Sequence, residues 1–295
     1  MEKTPVQRGR FAPSPSGKMH LGNALAMLLA WLDARKTGAE IVFRMEDLDP
    51  LRSSRESAQG IAKQLKALML DWDEGYPAAG YSQSERTALY DEAFERFYSR
   101  GMVYPCYCTR SERLAHEPCR CKTLSTSERH ALEASGRRPA WKMIAPDKII
   151  RFRDGHYGEQ SEDLAGSGDF IIKRSDGVYA YQLAVSVDDA AMGITRVVRG
   201  RDLLPSTARQ IWLIGELGGT VPEYIHAPLI VSGGGKLSKR NGDTGVDALL
   251  KTHSPREIIG FLAKAVGLSD GAPASPVELL DGFEWDKIRK DDIIM

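Results

Sequence analysis

The first fifty residues place apolar and polar positions in a pattern that predicts a strand, a helix and a second strand. A short run ending at Phe11 indicates the first strand, and a turn rich in Pro and Gly follows it. From Leu21 onward leucines recur at helical spacing, so one face of this helix belongs to the core. Residues 39–45 are β-branched and aromatic, which is typical of a buried strand. Such a unit favours a parallel pair, and ligands of parallel sheets bind beyond the carboxyl ends of the strands.

The same reasoning gives the later elements. Helices are predicted over 54–70, 83–100, 206–217 and 255–267, and strands over 170–174, 178–187, 193–200 and 224–231. The Asp-Gly pair after 170–174 indicates a hairpin, which puts Tyr181 in a strand where it alternates with Leu183. Residues 272–276 have the composition of a linker, and we expect only a short helical stub after them.

Residues 102–150 differ in character from their surroundings, because Pro, Cys and Arg become frequent and apolar periodicity weakens. We expect an inserted subdomain there. The predicted organisation is the first half of an α/β domain at 1–101, the insertion at 102–150, the second half at 151–254 and a short C-terminal helical segment at 255–295.

Composition narrows the class of protein. The chain has 295 residues, with 40 Lys plus Arg and 40 Asp plus Glu, so its net charge gives no general attraction to nucleic acid. No apolar run follows the opening residues MEKTPVQRGR, and no stretch approaches the roughly 20 apolar residues that a membrane span needs. These observations predict a soluble, cytoplasmic protein.

Polar residues follow both strands of the opening unit. Arg10 to Ser14 stand at the end of the first strand and Glu46 to Asp49 after the second, so we expect them to meet at one edge of the sheet. His20 and Gly22 stand at the start of the helix, where unpaired N–H groups and the helix dipole favour phosphate. The missing side chain of Gly22 would let a nucleotide approach the backbone.

A glycine-rich basic loop follows the strand at 224–231. Its sequence, GGGKLSKR, carries Lys236, Lys239 and Arg240 on a flexible hinge, which can close ammonium groups onto a polyphosphate. The alternative is a solvated surface loop. The phosphate-binding character of the helix start upstream favours a shared phosphate site.

The four cysteines form two Cys-x-Cys pairs, Cys106 with Cys108 and Cys119 with Cys121. In a reducing compartment such clustering favours a metal over disulfides. Two thiol pairs can complete a tetrahedral Zn²⁺ site, and four protein ligands would make that site structural. The alternative is four free thiols in an irregular insertion.

Several motifs resemble a known family. MHLGN is similar to the HIGH signature, and KLSKR to the KMSKS signature, of class I aminoacyl-tRNA synthetases. The segments RFAPSPSG, RMEDLD, YQLAVSVDD, VVRGRDLL and YIHAPLI resemble the glutamate-specific branch. The resemblance covers residues 8 to about 266. It implies a Rossmann-like α/β catalytic domain, with a parallel sheet that has helices on both faces, and a small zinc-binding insertion.

The resemblance also implies roles for individual residues. Glutamate would be bound by Arg10, Ala12, Ser14, Glu46, Tyr181 and Arg199. ATP would be bound by His20, Gly22, Asn23 and Lys239, with His20, Lys239 and Lys236 catalytic and Mg²⁺ sharing the phosphate charge. A glutamate ligand needs arginines that fork onto its carboxylates and an acid for its ammonium group. An ion pair with Asp202 is the structural alternative for Arg199, and packing is the alternative for Tyr181.

The remaining candidate residues have alternative assignments. The family's zinc site has a longer spacer that contains a tyrosine, so the third ligand here is expected to be Cys121, with His116 as the alternative. His226 lies beside apolar residues in a strand and is expected to be structural. Asp47 and Asp49 are expected either to assist the ligand amine or to cap the backbone and pair with Arg52.

The acceptor is inferred from the length of the resemblance. Full glutamyl-tRNA synthetases continue into a large helical anticodon-binding region. The short layout here resembles paralogues that attach glutamate to the queuosine base in the anticodon of tRNA(Asp). The expected partners are therefore L-glutamate, ATP and tRNA(Asp) bearing queuosine, bound by a monomer with no membrane association. The alternatives are a conventional synthetase that charges the 3′ end of tRNA(Glu) and a catalytically silent paralogue used as a binding module.

Overall fold

A computed structural model of the chain describes residues 6–109, 111–112, 119–232, 235–236 and 245–295. The strands are β1 (Arg8–Phe11), β2 (Glu40–Phe43), β3 (Glu74–Gly75), β4 (Val103–Cys106), β5 (Ala140–Met143), β6 (Ile149–Asp154), β7 (Gly158–Asp163), β8 (Phe170–Lys173), β9 (Arg196–Gly200), β10 (Glu223–Ala227), β11 (Ile230–Ser232), β12 (Gly235–Lys236) and β13 (Ile293–Ile294). The longer helices are α1 (Leu21–Thr37), α2 (Arg55–Ala67), α3 (Thr87–Ser99), α4 (Thr126–Ala134), α5 (Tyr181–Ala191), α6 (Thr207–Leu217) and α7 (Pro255–Ala265). Short helical turns occur at Gln83–Glu85, Arg120–Thr123, Leu164–Ser167, Arg201–Ser206, Val246–Leu249, Pro276–Leu279 and Trp285–Lys287.

The opening unit has the predicted order. β1 and β2 pair in parallel with Arg10 opposite Val42, and α1 connects them, starting at Leu21. β3 extends the sheet in parallel on the far side of β2. The helix ends at Gly38, whose φ of 71° is the left-handed conformation that favours glycine. The inner face of α1 packs in the main core, which confirms the interpretation of the leucine spacing.

A second sheet has the strand order β7-β6-β10-β9, in which β7 is antiparallel and the other three strands are parallel. Residues just before β9 join the two sheets. The Thr195 N–H donates to the Arg8 carbonyl at 2.9 Å, and the Arg8 N–H donates to Thr195 Oγ1 at 2.8 Å. Because β9 runs beside β1 in the same direction, the carboxyl ends of β1, β2 and β9 open on one edge.

The middle of the chain forms an antiparallel sheet of β4, β5 and β8. β4 leads into the cysteine pairs, which pack with Tyr104 and Tyr107 in a small cluster separate from the main core. α4 follows and begins with a capping box between Ser125 and Glu128. The cysteine cluster is therefore held between a sheet edge and a capped helix.

The predicted strand over 178–187 is wrong. The turn before it forms, with the Arg174 N–H donating to the Val178 carbonyl at 2.8 Å, but Tyr181 then begins helix α5. The apolar residues from Leu183 to Val187 fit both a strand and a helix buried on several sides, so their alternation does not decide between the two. Packing of α5 against α3 and α6 selects the helix.

The C-terminal segment contains more than the helical stub that the sequence predicts. After the turn at Pro276–Leu279, β13 pairs in parallel with β11, with Ile293 opposite Ile230. Asp292 Oδ1 accepts a hydrogen bond from the Leu229 N–H at 3.0 Å. This pairing satisfies backbone groups of β11 that would otherwise form an open sheet edge. Among the described residues, no helix has the length and apolar character needed to cross a bilayer.

Candidate active site

A cleft of about 410 Å³ opens where β1, β2 and β9 end. It is lined by every described residue that the sequence assigns to glutamate or ATP except Lys236: Arg10, Ala12, Ser14, His20, Gly22, Asn23, Glu46, Tyr181 and Arg199. The expected meeting of residues from the first two strand ends is therefore confirmed. Their individual roles stay predictions.

The turn between β1 and α1 shapes the cleft. The Pro13 carbonyl accepts a hydrogen bond from the Glu46 N–H at 3.0 Å, which ties the turn to the end of the second strand. Gly17 has a φ of 126°, a conformation that L side chains rarely adopt. His20 occupies the N-cap position of α1 without a side-chain capping hydrogen bond, and a Cβ on Gly22 would lie only 3.3 Å from the His20 ring. The first turn of a long helix thus faces the cleft, a position that suits an anion.

Arg10 and Glu46 place opposite charges at the inner end of the cleft. Arg10 is buried, and its Nη1 donates to the Val198 carbonyl at 3.0 Å. Its Nε lies 3.8 Å from Asp189 without a hydrogen bond to any described residue. Burial lowers the pKa of Arg10, although Asp189 opposes the shift. Burial also raises the pKa of Glu46, and Arg44 offsets this only in part.

Arg44 is a central site residue that sequence reasoning missed. Its side chain is fully buried behind Glu46. It donates to Asp189 at 2.7 Å and to Glu46 at 3.1 Å. Burial disfavours its charge, but the surrounding carboxylates more than offset this effect and raise its pKa. A charged residue inside the apolar run of a buried strand was the available signal, because buried charges are nearly always paired.

Besides Glu46, Arg44 has two acidic partners, Asp188 and Asp189, and both come from α5. Asp188 is fully buried and accepts hydrogen bonds from Arg86 Nε at 2.6 Å, Gln83 Nε2 at 2.7 Å and the Tyr90 hydroxyl at 2.9 Å. Asp189 adds the direct contact to Arg44. Two successive aspartates in the apolar stretch YQLAVSVDDAA signalled a buried network. This network fixes α5 and Glu46 relative to the sheet.

Arg199 lines the cleft but is heavily engaged by the protein itself. Its Nη1 donates to Gln210 Oε1 at 2.6 Å and to the Tyr181 hydroxyl at 3.4 Å. Its Nη2 donates to Thr207 Oγ1 at 2.8 Å and to the Leu203 carbonyl at 3.3 Å. A glutamate carboxylate would therefore have to replace one of the longer contacts, those to Tyr181 and Leu203. Arg10 makes fewer hydrogen bonds to the described residues than Arg199 does, so more of its N–H groups are available to a ligand.

His226 is structural, as the sequence predicts. Its Nδ1 lies 2.6 Å from Asp154 Oδ2, and its Nε2 lies 3.0 Å from the Nε of Arg199. Because arginine can only donate, Nε2 must accept and Nδ1 must carry the proton that Asp154 receives. Burial lowers the pKa of His226, which favours this neutral form. Asp154 thereby orients the histidine, which in turn holds Arg199 by direct contact.

A second lobe of about 360 Å³ continues the cleft. It shares Ser14, Ser16, Glu46 and Tyr181 with the first lobe. Its outer wall carries Asp49, Arg52 and Arg174.

The two aspartates after Glu46 have local partners. Asp49 pairs with Arg174 at 2.9 Å and accepts from the Leu51 N–H. Asp47 accepts from the backbone and hydroxyl of Ser84. Asp47 is therefore a capping residue, whereas Asp49 lies at the mouth of the second lobe.

The basic loop is only partly described. Lys236 lies in β12, for which the structure gives the backbone position, while Lys239 and Arg240 lie outside the described residues. β11 and β12 form an antiparallel pair beyond β10. The base of the loop follows Leu229 and Ile230, which line the cleft.

The four cysteines converge. Their sulfur atoms all lie within 4.8 Å of one another, and the pairs Cys106–Cys119, Cys108–Cys119 and Cys108–Cys121 are each 3.6 Å apart. Four sulfurs about 2.3 Å from one zinc ion would be about 3.8 Å apart, so the cluster has the size of a tetrahedral zinc site. The Tyr107 N–H donates to the sulfur of Cys121 at 3.3 Å. His116, the alternative ligand, lies outside the described residues.

Comparison with known proteins identifies the family. The family described as tRNA synthetases class I (E and Q), catalytic domain, matches residues 7–272. A glutamyl-Q tRNA(Asp) synthetase of Symbiobacterium thermophilum is 42% identical, covering 97% of this chain and 94% of the relative. One of Nitratidesulfovibrio vulgaris is 44% identical, covering 91% and 89%. A crystal structure of a glutamate tRNA ligase from Elizabethkingia meningosepticum, in complex with its amino acid, matches with a TM-score of 0.82 at 27% identity. That match covers 98% of this chain and 66% of the ligase.

Proposed function

The chain belongs to the class I tRNA synthetases of the E and Q group and is a ligase, and from this premise we propose that it activates L-glutamate with ATP and transfers it to the queuosine base in the anticodon of tRNA(Asp). One observation carries the activation step. A single cleft holds Arg10 and Glu46, which match the charges of an amino acid, beside the helix start at His20, which suits a nucleotide phosphate.

In the proposed first step, a glutamate carboxylate oxygen attacks the α-phosphorus of ATP. The bond from that phosphorus to the bridging oxygen breaks, so pyrophosphate leaves and glutamyl-adenylate remains. Arg10 binds a glutamate carboxylate, Glu46 faces the ammonium group, and the turn at 13–17 sets the distance to the nucleotide. His20 and the N–H groups of the first turn of α1 face the phosphates. The lysines of the basic loop would neutralise charge on the leaving pyrophosphate.

In the proposed second step, a hydroxyl of the acceptor attacks the activated carbonyl, AMP leaves, and the hydroxyl proton is released. The second lobe offers the acceptor a route to that carbonyl, because it shares Glu46 and Tyr181 with the first lobe. The queuosine cyclopentene diol has the cis-diol geometry of a ribose edge. The proposed acceptor is supported by the names of the two relatives given above, which are 42% and 44% identical.

Two metal ions belong to the proposal. Zn²⁺ would be held by Cys106, Cys108, Cys119 and Cys121 and would be structural, because four sulfur ligands leave no open position. Burial raises the pKa of Cys106 to about 11, so a bound metal is what would stabilise its thiolate. Mg²⁺ would enter with ATP, and no described residue is assigned to it.

The test separates activation from transfer. Glutamate-dependent ATP–pyrophosphate exchange should occur without tRNA. Radiolabelled glutamate should then be transferred to queuosine-containing tRNA(Asp), but not to tRNA(Asp) that has unmodified guanosine in the anticodon. Nuclease digestion should place the label in the anticodon fragment. Transfer to the 3′ end of tRNA(Glu) would support the conventional synthetase instead, and absence of exchange would support a silent paralogue.

A further inference from the structure

A groove outside the cleft follows the exposed face of α2. Its first part has a volume of about 800 Å³ and its second part about 610 Å³, and both parts are lined by Lys66, Trp72, Tyr76 and Pro77. Ser53 belongs both to this groove and to the second lobe of the cleft. The groove is therefore continuous with the place where the acceptor would enter.

The helix side of the groove is cationic. Arg55, Lys63 and Lys66 line it at helical spacing together with Gln59. None of the three cations has a carboxylate partner among the described residues. Arg55 and Lys66 are eleven positions apart, so the row is about 16 Å long at the helical rise.

The acidic residues along the groove are already engaged. Asp47 binds Ser84, Glu85 accepts from the Gly80 N–H, Asp71 and Asp73 pair with Arg35, and Glu74 pairs with Arg8. Asp47 and Glu85 bond only neutral groups there and keep their charge, so the first part of the groove has three cations against two carboxylates. In the second part, Asp71 and Asp73 share Arg35, and Glu74 shares Arg8 with Glu40, so the excess of positive charge is confined to the first part, along α2. An anionic strand that follows this side is the occupant that the charge favours.

The opposite wall offers aromatic rings. Trp72 and Tyr76 are both half-buried and pack edge to face on the same buried residue, Phe43, at centroid distances of 4.7 and 5.7 Å. Lys66 Nζ lies 5.3 Å from the centre of the Trp72 ring. Phe43 holds both rings from the core side, and their other side lines the groove next to the cations of α2. Sites for single-stranded nucleic acid typically combine aromatic rings with cations in this way.

The ridge between the groove and the second lobe carries an exposed apolar side chain. Asp49 and Arg52 face the lobe, while Pro50 and Ser54 face the groove. Leu51 stands between them with 90% of its surface exposed. An apolar side chain at such a point can insert between neighbouring bases and hold them apart.

We infer that this groove binds the unpaired nucleotides that flank the acceptor nucleotide of the RNA substrate, with Leu51 separating them from it. The inference rests on the proposed transfer to RNA. An acceptor base inside a loop has RNA on both sides, so one flanking stretch can leave through the second lobe while the other follows the groove past the ridge. A 3′-terminal acceptor has RNA on one side only and needs a single path.

The test is the double variant Lys63→Glu/Lys66→Glu in the full chain. We expect kcat/KM for tRNA(Asp) in the transfer step to fall at least tenfold at low salt. Single-stranded contacts contribute about 0.7 each to the slope of log affinity against log salt, so this slope should fall by about 1.4. Glutamate-dependent exchange without tRNA should keep its wild-type rate. Lys264→Glu is the matched control, because this lysine is exposed on α7 and outside the groove.

A second measurement uses the isolated anticodon stem-loop of tRNA(Asp) in fluorescence anisotropy. It should bind the wild type and Lys264→Glu equally, the double variant at least tenfold more weakly, and Leu51→Ala more weakly than wild type. The inference would be overturned if the double variant, with normal exchange, transferred glutamate and bound the stem-loop as well as the wild type does. Loss of exchange in the wild type would instead refute the proposed function.

Discussion

The Nε of Arg199 donates a 3.0 Å hydrogen bond to Nε2 of His226 in the floor of the cleft. This contact requires a neutral imidazole, since a protonated ring would place an N–H against another N–H. Asp154 holds the opposite ring nitrogen and so fixes the tautomer. Replacing His226 by Gln should misorient Arg199 and raise KM for glutamate about tenfold, the equivalent of a hydrogen bond to a charged group. ATP–pyrophosphate exchange at varied glutamate concentrations would measure this KM. An unchanged KM would mean that Arg199 does not bind glutamate.

The same pair predicts a dependence of stability on pH. Burial lowers the pKa of His226 in the folded chain, so the unfolded chain takes up the proton first as the pH falls. The neutral ring contributes fully to the free energy of unfolding above the pKa of histidine in the unfolded chain, about 6.5. This contribution is lost progressively as the pH falls below that pKa. The free energy of unfolding in urea should therefore drop more between pH 7.5 and 5.5 in the wild type than in His226→Gln. Equal drops would contradict the assignment.

Arg10 should bind a glutamate carboxylate through its planar fork. Arg10→Lys keeps the charge but loses the paired donors, so KM for glutamate should rise at least tenfold while KM for ATP stays near its wild-type value. Exchange assays that vary each substrate separately would show the difference. A parallel rise in both KM values would indicate a general disturbance of the buried network instead.

His20 should act on the phosphates of ATP. His20→Ala is expected to slow exchange about a hundredfold, in the range found when one transition-state donor is removed, without changing the thermal midpoint. His253→Ala is the matched control, since that histidine is exposed and lies outside the cleft. If His20→Ala exchanges pyrophosphate at the wild-type rate, the histidine has no part in activation.

Arg44 should be required for folding rather than for binding alone. Arg44→Met removes the cation that hydrogen-bonds both buried acids, Asp189 and Glu46, and breaking a buried pair costs about 3–5 kcal/mol. Arg100→Met removes a partly exposed pair with Glu216 and should cost about 1 kcal/mol or less. Urea unfolding of both variants would compare these costs. If both variants lost a similar free energy of unfolding, water or structural relaxation would be compensating the charge of the buried acids.

The cysteine cluster should hold one zinc ion per chain. Cys121→Ser should lower zinc content and affinity, whereas His116→Ala should leave both unchanged, because the four sulfurs already have tetrahedral spacing. Elemental analysis of freshly purified protein and a chelator competition would measure this. Zinc-free wild-type protein would leave four free thiols as the correct interpretation.

The parts of the fold that local pattern determines were predictable. The parallel pair of β1 and β2 and the start of α1 followed from spacing and turn residues within a few positions. The Arg44 network was not predictable, because Asp189 lies 145 positions away and nothing local couples the two residues. Helix α5 was assigned to a strand because a helix buried on several sides loses the periodicity that identifies it.

The candidate site shows the same division. Arg10, His20 and Glu46 could be placed from motifs near strand ends, and all three line the cleft. The hydrogen bonds of Arg199 to Gln210 and Thr207 depend on how α6 packs against β9, which the sequence does not reveal. The groove along α2 was also missed, since its cations and aromatic rings belong to separate segments.

The pairing of β13 with β11 sets an order of events during synthesis. β11 leads into β12 and the basic loop, but its parallel partner is Ile293–Ile294, which the ribosome makes much later. The opening βαβ unit can form early, because its contacts are local and chains fold from the N-terminal side as they emerge. The base of the basic loop is completed only after β13 has been made. A nascent chain would therefore have the paired ends of β1 and β2 that line the cleft before it has the support for its basic loop.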